Sequence, residues 1–402
     1  MERNRNSFIE YCLKKDYNIT QEELLNKLEM LEKYRGETRE ETIFSLMNAL
    51  KQLSNRLIFD KKIVPGIQGY LNVDDISINF NYGFQDFSLE KELPHNGIFD
   101  IASITKLFTM LTTLKLVEQK KLKLSDNLKD ISNQFHLDIT IKDLLTFNKS
   151  IVTNGRLDEV TDRSINEQRL HQAKIENNDF KYSDIPYIIL GEVIQEKTGS
   201  SIDELIQQEI TKPLQMTETT YGVSKDKQDR IVGSQQIYHP EAEQIKAFDP
   251  KAKNLEPIAS AGLFSTTEDM KKLGTYLVNL PNGTMKELLH QATTPIANHN
   301  RGMAVYTRNN DCILTRVFTP ATSSAGAIVG HSGTYFCFDP ERKFHASVFT
   351  NAYHDDGSKT ENASTELDYF RKAVYNLSIQ VEYLNFLTNK ETSSSLSKIK
   401  VK

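Results

Sequence analysis

Cysteine is scarce in this chain of 402 residues, which holds only three. Their scattered positions lack the paired spacing of a disulfide framework or a zinc site. The nine histidines show no zinc-ligand spacing either. The sequence therefore predicts free thiols in a reducing compartment, no metal site and no cofactor. The cysteines are Cys12, Cys312 and Cys337.

Long apolar runs are also missing. Residues 2–7 are polar or charged and lead directly into Phe8-Ile9-Glu10, so the apolar core of a signal peptide is absent. No stretch is long enough to cross a bilayer. The net charge is −5 without a concentrated basic stripe, which argues against nucleic acid as the main partner. We expect a cytoplasmic protein that acts on small molecules and has neither a membrane nor a nucleic acid as partner.

The most informative segment is a Ser-x-x-Lys pattern, Ser103 and Lys106, at the head of a long apolar run. Residues three apart on a helix share one face, so the lysine amine can reach the serine hydroxyl. A serine hydroxyl attacks poorly unless a neighbouring base takes its proton. The alternative is that Ser103 and Thr105 merely cap a core helix. The same pattern begins in charged or Ser/Lys-rich stretches at Ser88, Ser224, Ser395 and Ser397.

Two later segments favour the catalytic interpretation. Tyr182-x-Asp184 precedes an apolar run with Pro186 near its start, which predicts a tyrosine just outside a helix N-terminus and facing a cleft. The stretch 329–338 predicts a strand that carries His331-x-Gly333, whose glycine allows another group to approach the backbone closely. The alternative for His331 is a strand-end histidine bonded to backbone.

In this order, the three motifs resemble those of the serine β-lactamase and penicillin-binding-protein superfamily. The closest branch holds class C β-lactamases, D,D-carboxypeptidases, D-aminopeptidases and related esterases. The resemblance covers about residues 42 to 378. It implies an α+β fold of the β-lactamase/transpeptidase type, in which an antiparallel sheet flanked by helices adjoins a mostly helical lobe and the active site lies between them.

The resemblance also implies a mechanism. Ser103 would attack a carbonyl and carry the acyl group, and Lys106 and Tyr182 compete for the role of base. The backbone N–H groups of Ser103 and Thr334 would hold the oxyanion. The residues that the resemblance assigns to substrate or oxyanion binding are Asp184, His331, Ser332, Gly333 and Thr334.

Asp184 departs from the family pattern, which usually has asparagine at this position. An ionised carboxylate cannot donate a hydrogen bond to a substrate, and it favours the charged form of Lys106. The substitution therefore favours Tyr182 as the working base. His331 stands where β-lactamases typically have lysine, which argues against strong β-lactamase activity.

Two classes of function remain open. The favoured one is a serine hydrolase that acts through an acyl-enzyme on a small ester or a D-amino-acid peptide or amide, of the carboxypeptidase, D-aminopeptidase or esterase type. An acyltransferase of the same fold would share every motif. The other class is a non-catalytic, penicillin-recognising sensor or scaffold.

Periodicity predicts the domain organisation. Residues 1–41 form a helical extension that docks on the core or mediates self-association. Residues 42–378 form the β-lactamase-like domain, with an α/β lobe from 42–100 and about 320–378 and a helical lobe at about 101–319. Residues 379–402 form a partly disordered tail. Alternating apolar residues predict two hairpins, at 70–82 and 336–350, in one antiparallel sheet.

Overall fold

The computed structural model describes residues 2–14, 20–32, 38–74, 76–233, 237–239, 244–255, 257–296, 299–308, 322–354 and 357–399. The helices are α1 Glu2–Lys14, α2 Gln21–Glu32, α3 Arg39–Asn55, α4 Thr105–Glu118, α5 Leu128–Ile131, α6 Ile141–Thr146, α7 Arg163–His171, α8 Ile185–Thr198, α9 Ile202–Ile206, α10 Pro250–Leu255, α11 Thr267–Val278, α12 Thr284–Thr293 and α13 Ala363–Ile399. The strands are β1 Gly66–Val73, β2 Ile76–Gly83, β3 Phe99–Asp100, β4 Ser150–Val152, β5 Lys174–Asn177, β6 Thr220–Tyr221, β7 Val223–Ser224, β8 Ile237–His239, β9 Gln244–Lys246, β10 Leu263–Ser265, β11 Gly326–Val329, β12 Tyr335–Asp339 and β13 Phe344–Thr350.

An antiparallel sheet of five strands, in the order β11-β12-β13-β1-β2, organises one side of the molecule. Both predicted hairpins belong to it, which confirms the sheet prediction. In β2, Ile76, Ile78 and Phe80 are buried while Ser77 and Asn79 are exposed. This alternation is what a strand with one covered face requires.

The prediction of one strand over 329–338 is wrong for residues 330–334. Strand β11 ends at Val329, and β12 starts only at Tyr335. Between them, the Gly330 N–H donates to the Thr334 carbonyl (2.8 Å) and the Gly333 N–H donates to the Gly330 carbonyl (3.0 Å). Gly333 has φ +104°, a conformation that a side chain disfavours. Residues 330–334 therefore form a tight turn, which we call the 330–334 turn.

Helix α4 confirms the prediction of a buried helix after Ser103. Its side chains from Thr105 to Leu114 are all buried, and it packs against α8, α9 and α12. A helix that is apolar on every side needs protein around its full circumference. It therefore forms the centre of the helical lobe and holds its N-terminal end in a defined place.

Helix α11 falls inside the range predicted for the helical lobe but packs on strands β12 and β13 of the sheet. A Cβ at Gly274 would lie 2.1 Å from His345 of β13, so only glycine permits this close approach. The Tyr70 hydroxyl donates to the Met270 carbonyl (3.0 Å) and ties β1 to the same helix.

The first part of the predicted tail is helical, because α13 runs from Ala363 through residue 379 to Ile399. Ile379 and Val381 are buried in the cluster that covers the outer face of the sheet. Buried Arg342, in the turn after β12, donates from Nε and Nη2 to Glu382 of this helix (3.1 and 2.9 Å). Packing and a buried ion pair therefore extend the ordered helix past the predicted boundary.

The N-terminal extension docks on α13. Phe8 of α1 packs against Tyr383 and Phe386, with ring centroids 5.0 and 5.4 Å apart. The expected capping boxes are present at Thr20 and Thr38. Self-association of the extension stays a prediction, as does the division of the chain into domains.

Two further expectations concern thiols and membranes. Cys12 and Cys337 are buried, and Cys312 lies outside the described residues. In the described ranges, no helix combines the length and the apolar character that crossing a bilayer requires.

Candidate active site

Ser103 lies where the helical lobe meets the sheet. Strand β3 pairs with β10 and ends at Asp100, and a single 3₁₀ turn, Ala102–Ile104, leads into α4. The Ala102 N–H donates to Asp100 Oδ1 (2.8 Å), and Ala102 has φ +46°, which is strained for a residue with a side chain. The serine is therefore held at the positive end of the α4 dipole by a constrained backbone.

Lys106 lies one turn further on and is fully buried. Its Nζ donates to Ser103 Oγ (3.1 Å), Asp184 Oδ1 (2.7 Å) and the Ser260 carbonyl (3.0 Å). An ammonium left unpaired at this depth costs several kcal/mol. Three acceptors for its three N–H groups offset that cost and aim the amine at the serine.

Asp184 joins two lysines. It occupies the N-cap position of α8 but makes no side-chain capping bond. Its Oδ2 instead lies 3.2 Å from Lys251 Nζ, which also approaches Asp249 at 3.5 Å. The carboxylate is therefore a bridge between Lys106 and Lys251 and does not cap α8.

The charges in this bridge reinforce one another. Burial acts to lower the pKa of Lys106, but Tyr182 and Asp184 outweigh it and raise the pKa above the ordinary 10.5. Burial acts to raise the pKa of Asp184, but Lys106 and Lys251 bring it below the ordinary 3.8. Both groups are thus charged at neutral pH, and Lys106 holds its proton there.

Tyr182 lies just before α8, as predicted, and is 40% exposed. Lys106 Nζ is 5.3 Å from the centroid of its ring, and the Arg301 guanidinium carbon is 4.3 Å from the same centroid. Phe147 packs against the ring with centroids 4.9 Å apart. The tyrosine therefore stands beside two cations, on a support that fixes its ring plane.

The 330–334 turn faces Ser103 from the sheet side. The Ser332 hydroxyl donates to the Asp100 carbonyl (2.8 Å), and the Thr334 hydroxyl donates to the Ile101 carbonyl (3.4 Å). These two side chains tie the turn to the backbone that precedes Ser103. In the part of the chain that the structure describes, no acceptor is bonded to the backbone N–H of Ser103 or of Thr334.

A cavity of about 470 Å³ opens in front of these groups. Ser103, Tyr182, His331 and Gly333 line it. His331 packs against the ring of Tyr353 (centroids 5.4 Å apart), and burial, with Lys359 nearby, holds the pKa of His331 below its ordinary 6.5. The structure thus brings all the predicted site residues to one place.

Several functional side chains were missed by the sequence analysis. Their positions in the sequence form no recognisable motif, and only the folded structure brings them to the site. Their side chains are cationic, and three of the four line the cavity. These residues are Lys251, Arg301, Lys359 and Arg371. In the described ranges, no cluster of His, Cys, Asp and Glu residues is arranged to hold a metal ion.

Residues 55–369 match the family model described as Beta-lactamase. The chain belongs to the beta-lactamase family. Protein flp of Staphylococcus aureus strain MRSA252 is 28% identical over 302 residues, which cover 69% of this chain and 57% of that protein. The D-alanyl-D-alanine-carboxypeptidase/endopeptidase AmpH of Escherichia coli K12 is 26% identical over 195 residues, 44% of this chain and 48% of AmpH. The chain thus spans about half the length of these beta-lactamase family relatives.

Solved structures confirm the beta-lactamase fold. The octameric penicillin-binding protein homologue from Pyrococcus abyssi superposes with a TM-score of 0.61 at 20% identity, covering 83% of this chain and 77% of the other. A class C beta lactamase superposes with a TM-score of 0.62 at 15% identity, covering 81% and 98%. The predicted superfamily and the α+β architecture are therefore confirmed.

Proposed function

We propose that this protein is a serine hydrolase that forms an acyl-enzyme on Ser103. The observation that carries the proposal is the contact of 3.1 Å between Lys106 Nζ and Ser103 Oγ, made by a buried amine that Asp184 anchors. Membership of the beta-lactamase family supports it, because catalysis by serine is the chemistry that the family's motifs serve.

Tyr182 acts as the general base. Lys106 is protonated at neutral pH and cannot accept a proton, so the acceptor is the phenolate of Tyr182, whose ring centroid lies 5.3 Å from that ammonium. The phenolate takes the proton of Ser103 Oγ as the oxygen forms a bond to the substrate carbonyl carbon. The same proton then passes to the leaving group as its bond to that carbon breaks. Water attacks the resulting ester by the same route and releases the acid.

The backbone N–H groups of Ser103 and Thr334 stabilise the tetrahedral intermediate. Both lack an acceptor among the described residues, and the bonds from Ser332 and Thr334 to the 100–101 backbone keep them close. Donors fixed before the reaction cost no reorganisation when negative charge develops on the carbonyl oxygen.

The substrate is a small ester or a D-amino-acid peptide or amide. A cavity of about 470 Å³ suits a small acyl group with a compact leaving group. The similarity to AmpH, named a D-alanyl-D-alanine carboxypeptidase and endopeptidase, supports the peptide class. We further propose that the protein works in the cytoplasm on such small molecules.

A fluorophosphonate probe and a substrate panel test this function. The panel holds p-nitrophenyl esters, D-amino-acid anilides and a chromogenic cephalosporin. We expect labelling of the protein and turnover of at least one ester or D-amino-acid amide, with little turnover of the cephalosporin. Product that forms only with an added alcohol or amine acceptor would identify an acyltransferase. Absence of both labelling and turnover would identify a non-catalytic relative.

Asp184→Asn is expected to change substrate preference and the pH profile. The amide supplies a donor to the substrate, and loss of the carboxylate removes one cause of the raised pKa of Lys106. The ratio of kcat/KM for D-amino-acid amides to that for p-nitrophenyl acetate should rise, because amides depend more on positioning. The basic limb of the profile, where Lys106 loses its proton, should move to lower pH.

Asp249→Asn is the matched control for this change. Asp249 also lies beside Lys251, at 3.5 Å, but it makes no contact with Lys106 in the described structure. The control should keep the amide-to-ester ratio and the basic limb of the unmodified protein. An Asp184→Asn variant with that same ratio and limb would show that the carboxylate has only a structural role.

A further inference from the structure

The peptide group between Gly333 and Thr334 is held at its carbonyl end. Its N–H, on Thr334, is the proposed oxyanion donor, and its carbonyl, on Gly333, accepts a hydrogen bond of 2.8 Å from Arg371 Nη2. We propose that Arg371 is a positioning residue that orients and polarises this peptide group for catalysis. The inference rests on the proposed function, since it needs a reaction in which an oxyanion forms at Ser103.

Arg371 is built into the fold as a fixed support. It lies on α13, is 5% exposed, and donates from Nη1 to Asp368 Oδ1 (2.8 Å), one helical turn earlier. Bonds to two partners leave the guanidinium little freedom. The distance to Gly333 is therefore set by the docking of α13 on the sheet.

The 330–334 turn does not by itself fix the orientation of the peptide group between Gly333 and Thr334. Gly333 has φ +104°, and a Cβ there would lie 2.9 Å from Thr350 Cγ2, so the backbone takes a conformation open only to glycine. Glycine also gives the flanking bonds more freedom to rotate than another residue would. A hydrogen bond to the Gly333 carbonyl fixes that rotation, and with it the direction of the Thr334 N–H.

The charge of Arg371 adds to this effect. A bond from a cation to a carbonyl is stronger than one between neutral groups. It draws electrons toward the carbonyl oxygen, which makes the N–H of the same peptide group a better donor, because linked hydrogen bonds polarise one another. The bond is buried, so water screens it little. The donor is thereby stronger at the moment when the oxyanion forms.

A second role for Arg371 would give different kinetics. Its side chain also lines the cavity, so the guanidinium is near enough for direct contact with a negatively charged substrate. Direct contact would change KM, and only for anionic substrates. Orientation of the oxyanion donor changes the rate of acylation for neutral and anionic substrates alike, with KM little altered.

Arg371→Met and Arg371→Lys in the full chain test the proposal with neutral p-nitrophenyl acetate. We expect Arg371→Met to slow acylation about tenfold or more, as measured by the release of p-nitrophenol. For comparison, the loss of a whole oxyanion donor lowers kcat by roughly 10²–10³-fold. Arg371→Lys, which keeps a cationic donor, should recover part of the rate. The inhibition constant of phenylboronic acid, which forms a tetrahedral adduct on serine, should rise in Arg371→Met by a similar factor.

Glu382→Gln is the matched structural control, because it weakens the other buried anchor of α13, at Arg342, away from the cavity. It should lower the melting temperature and leave acylation unchanged. The proposal is overturned if Arg371→Met keeps the normal acylation rate, or if it raises KM only for anionic substrates. Turnover that survives in Ser103→Ala would instead reject the proposed function, so the two failures are distinguishable.

Discussion

Ser103→Ala is expected to abolish both fluorophosphonate labelling and turnover of every substrate in the panel. The change removes the oxygen that forms the acyl bond, and with it the serine hydroxyl that Lys106 Nζ contacts at 3.1 Å. Loss of a nucleophile costs a serine hydrolase many orders of magnitude in kcat. Labelling followed by gel fluorescence and mass spectrometry, together with initial rates, measures the outcome.

Ser224→Ala provides the control for this experiment. Ser224 and Lys227 repeat the Ser-x-x-Lys pattern, but the Ser224 hydroxyl bonds to Asp226 while Lys227 Nζ bonds to Glu218 (3.1 Å). The repeated pattern therefore lacks the contact between its serine and its lysine. Ser224→Ala should label and turn over normally. Loss of labelling in Ser224→Ala with retention in Ser103→Ala would show that the nucleophile has been misassigned.

Tyr182→Phe is expected to lower kcat by about 10²-fold or more, the usual contribution of a general base. The phenyl ring keeps its packing on Phe147 and its stacking with Arg301, so the loss reports on the hydroxyl. Lys106→Ala should be comparably damaging, because the phenolate loses its nearest ammonium and Asp184 loses one of its two partners. Steady-state kinetics and thermal unfolding of each variant separate activity from stability.

Tyr306→Phe is the matched control for the tyrosine. Its ring centroid lies 3.7 Å from the carbon of the same Arg301 guanidinium, and the residue lines the same cavity. Removal of this hydroxyl should change kcat only slightly. The pH profile offers an independent check, since the raised pKa of Lys106 lies above 10.5. A kcat/KM that keeps rising through this range, with Tyr182→Phe near normal, would assign the base to Lys106.

Local signals in the sequence were sufficient for much of the fold. Period-two alternation predicted strand β2, and the apolar run after Ser103 predicted the buried helix α4, because both patterns report on neighbours within a few residues. The prediction of one strand over 329–338 was wrong because it used the same short-range signals. Apolar runs on both sides suggested one strand, while the turn depends on the φ of Gly333 and on bonds across the sheet.

The sequence by itself predicted the Ser103–Lys106 pair, because residues three apart on a helix share one face. It also determined the order of the motifs, and with it the family. Only the tertiary structure decided which charges surround that pair. Lys251, Arg301 and Arg371 lie far from it along the chain and reach it through the packing of other elements. The contact of Asp184 with Lys106 and the bond from Arg371 to the Gly333 carbonyl likewise depend on distances that no local pattern encodes.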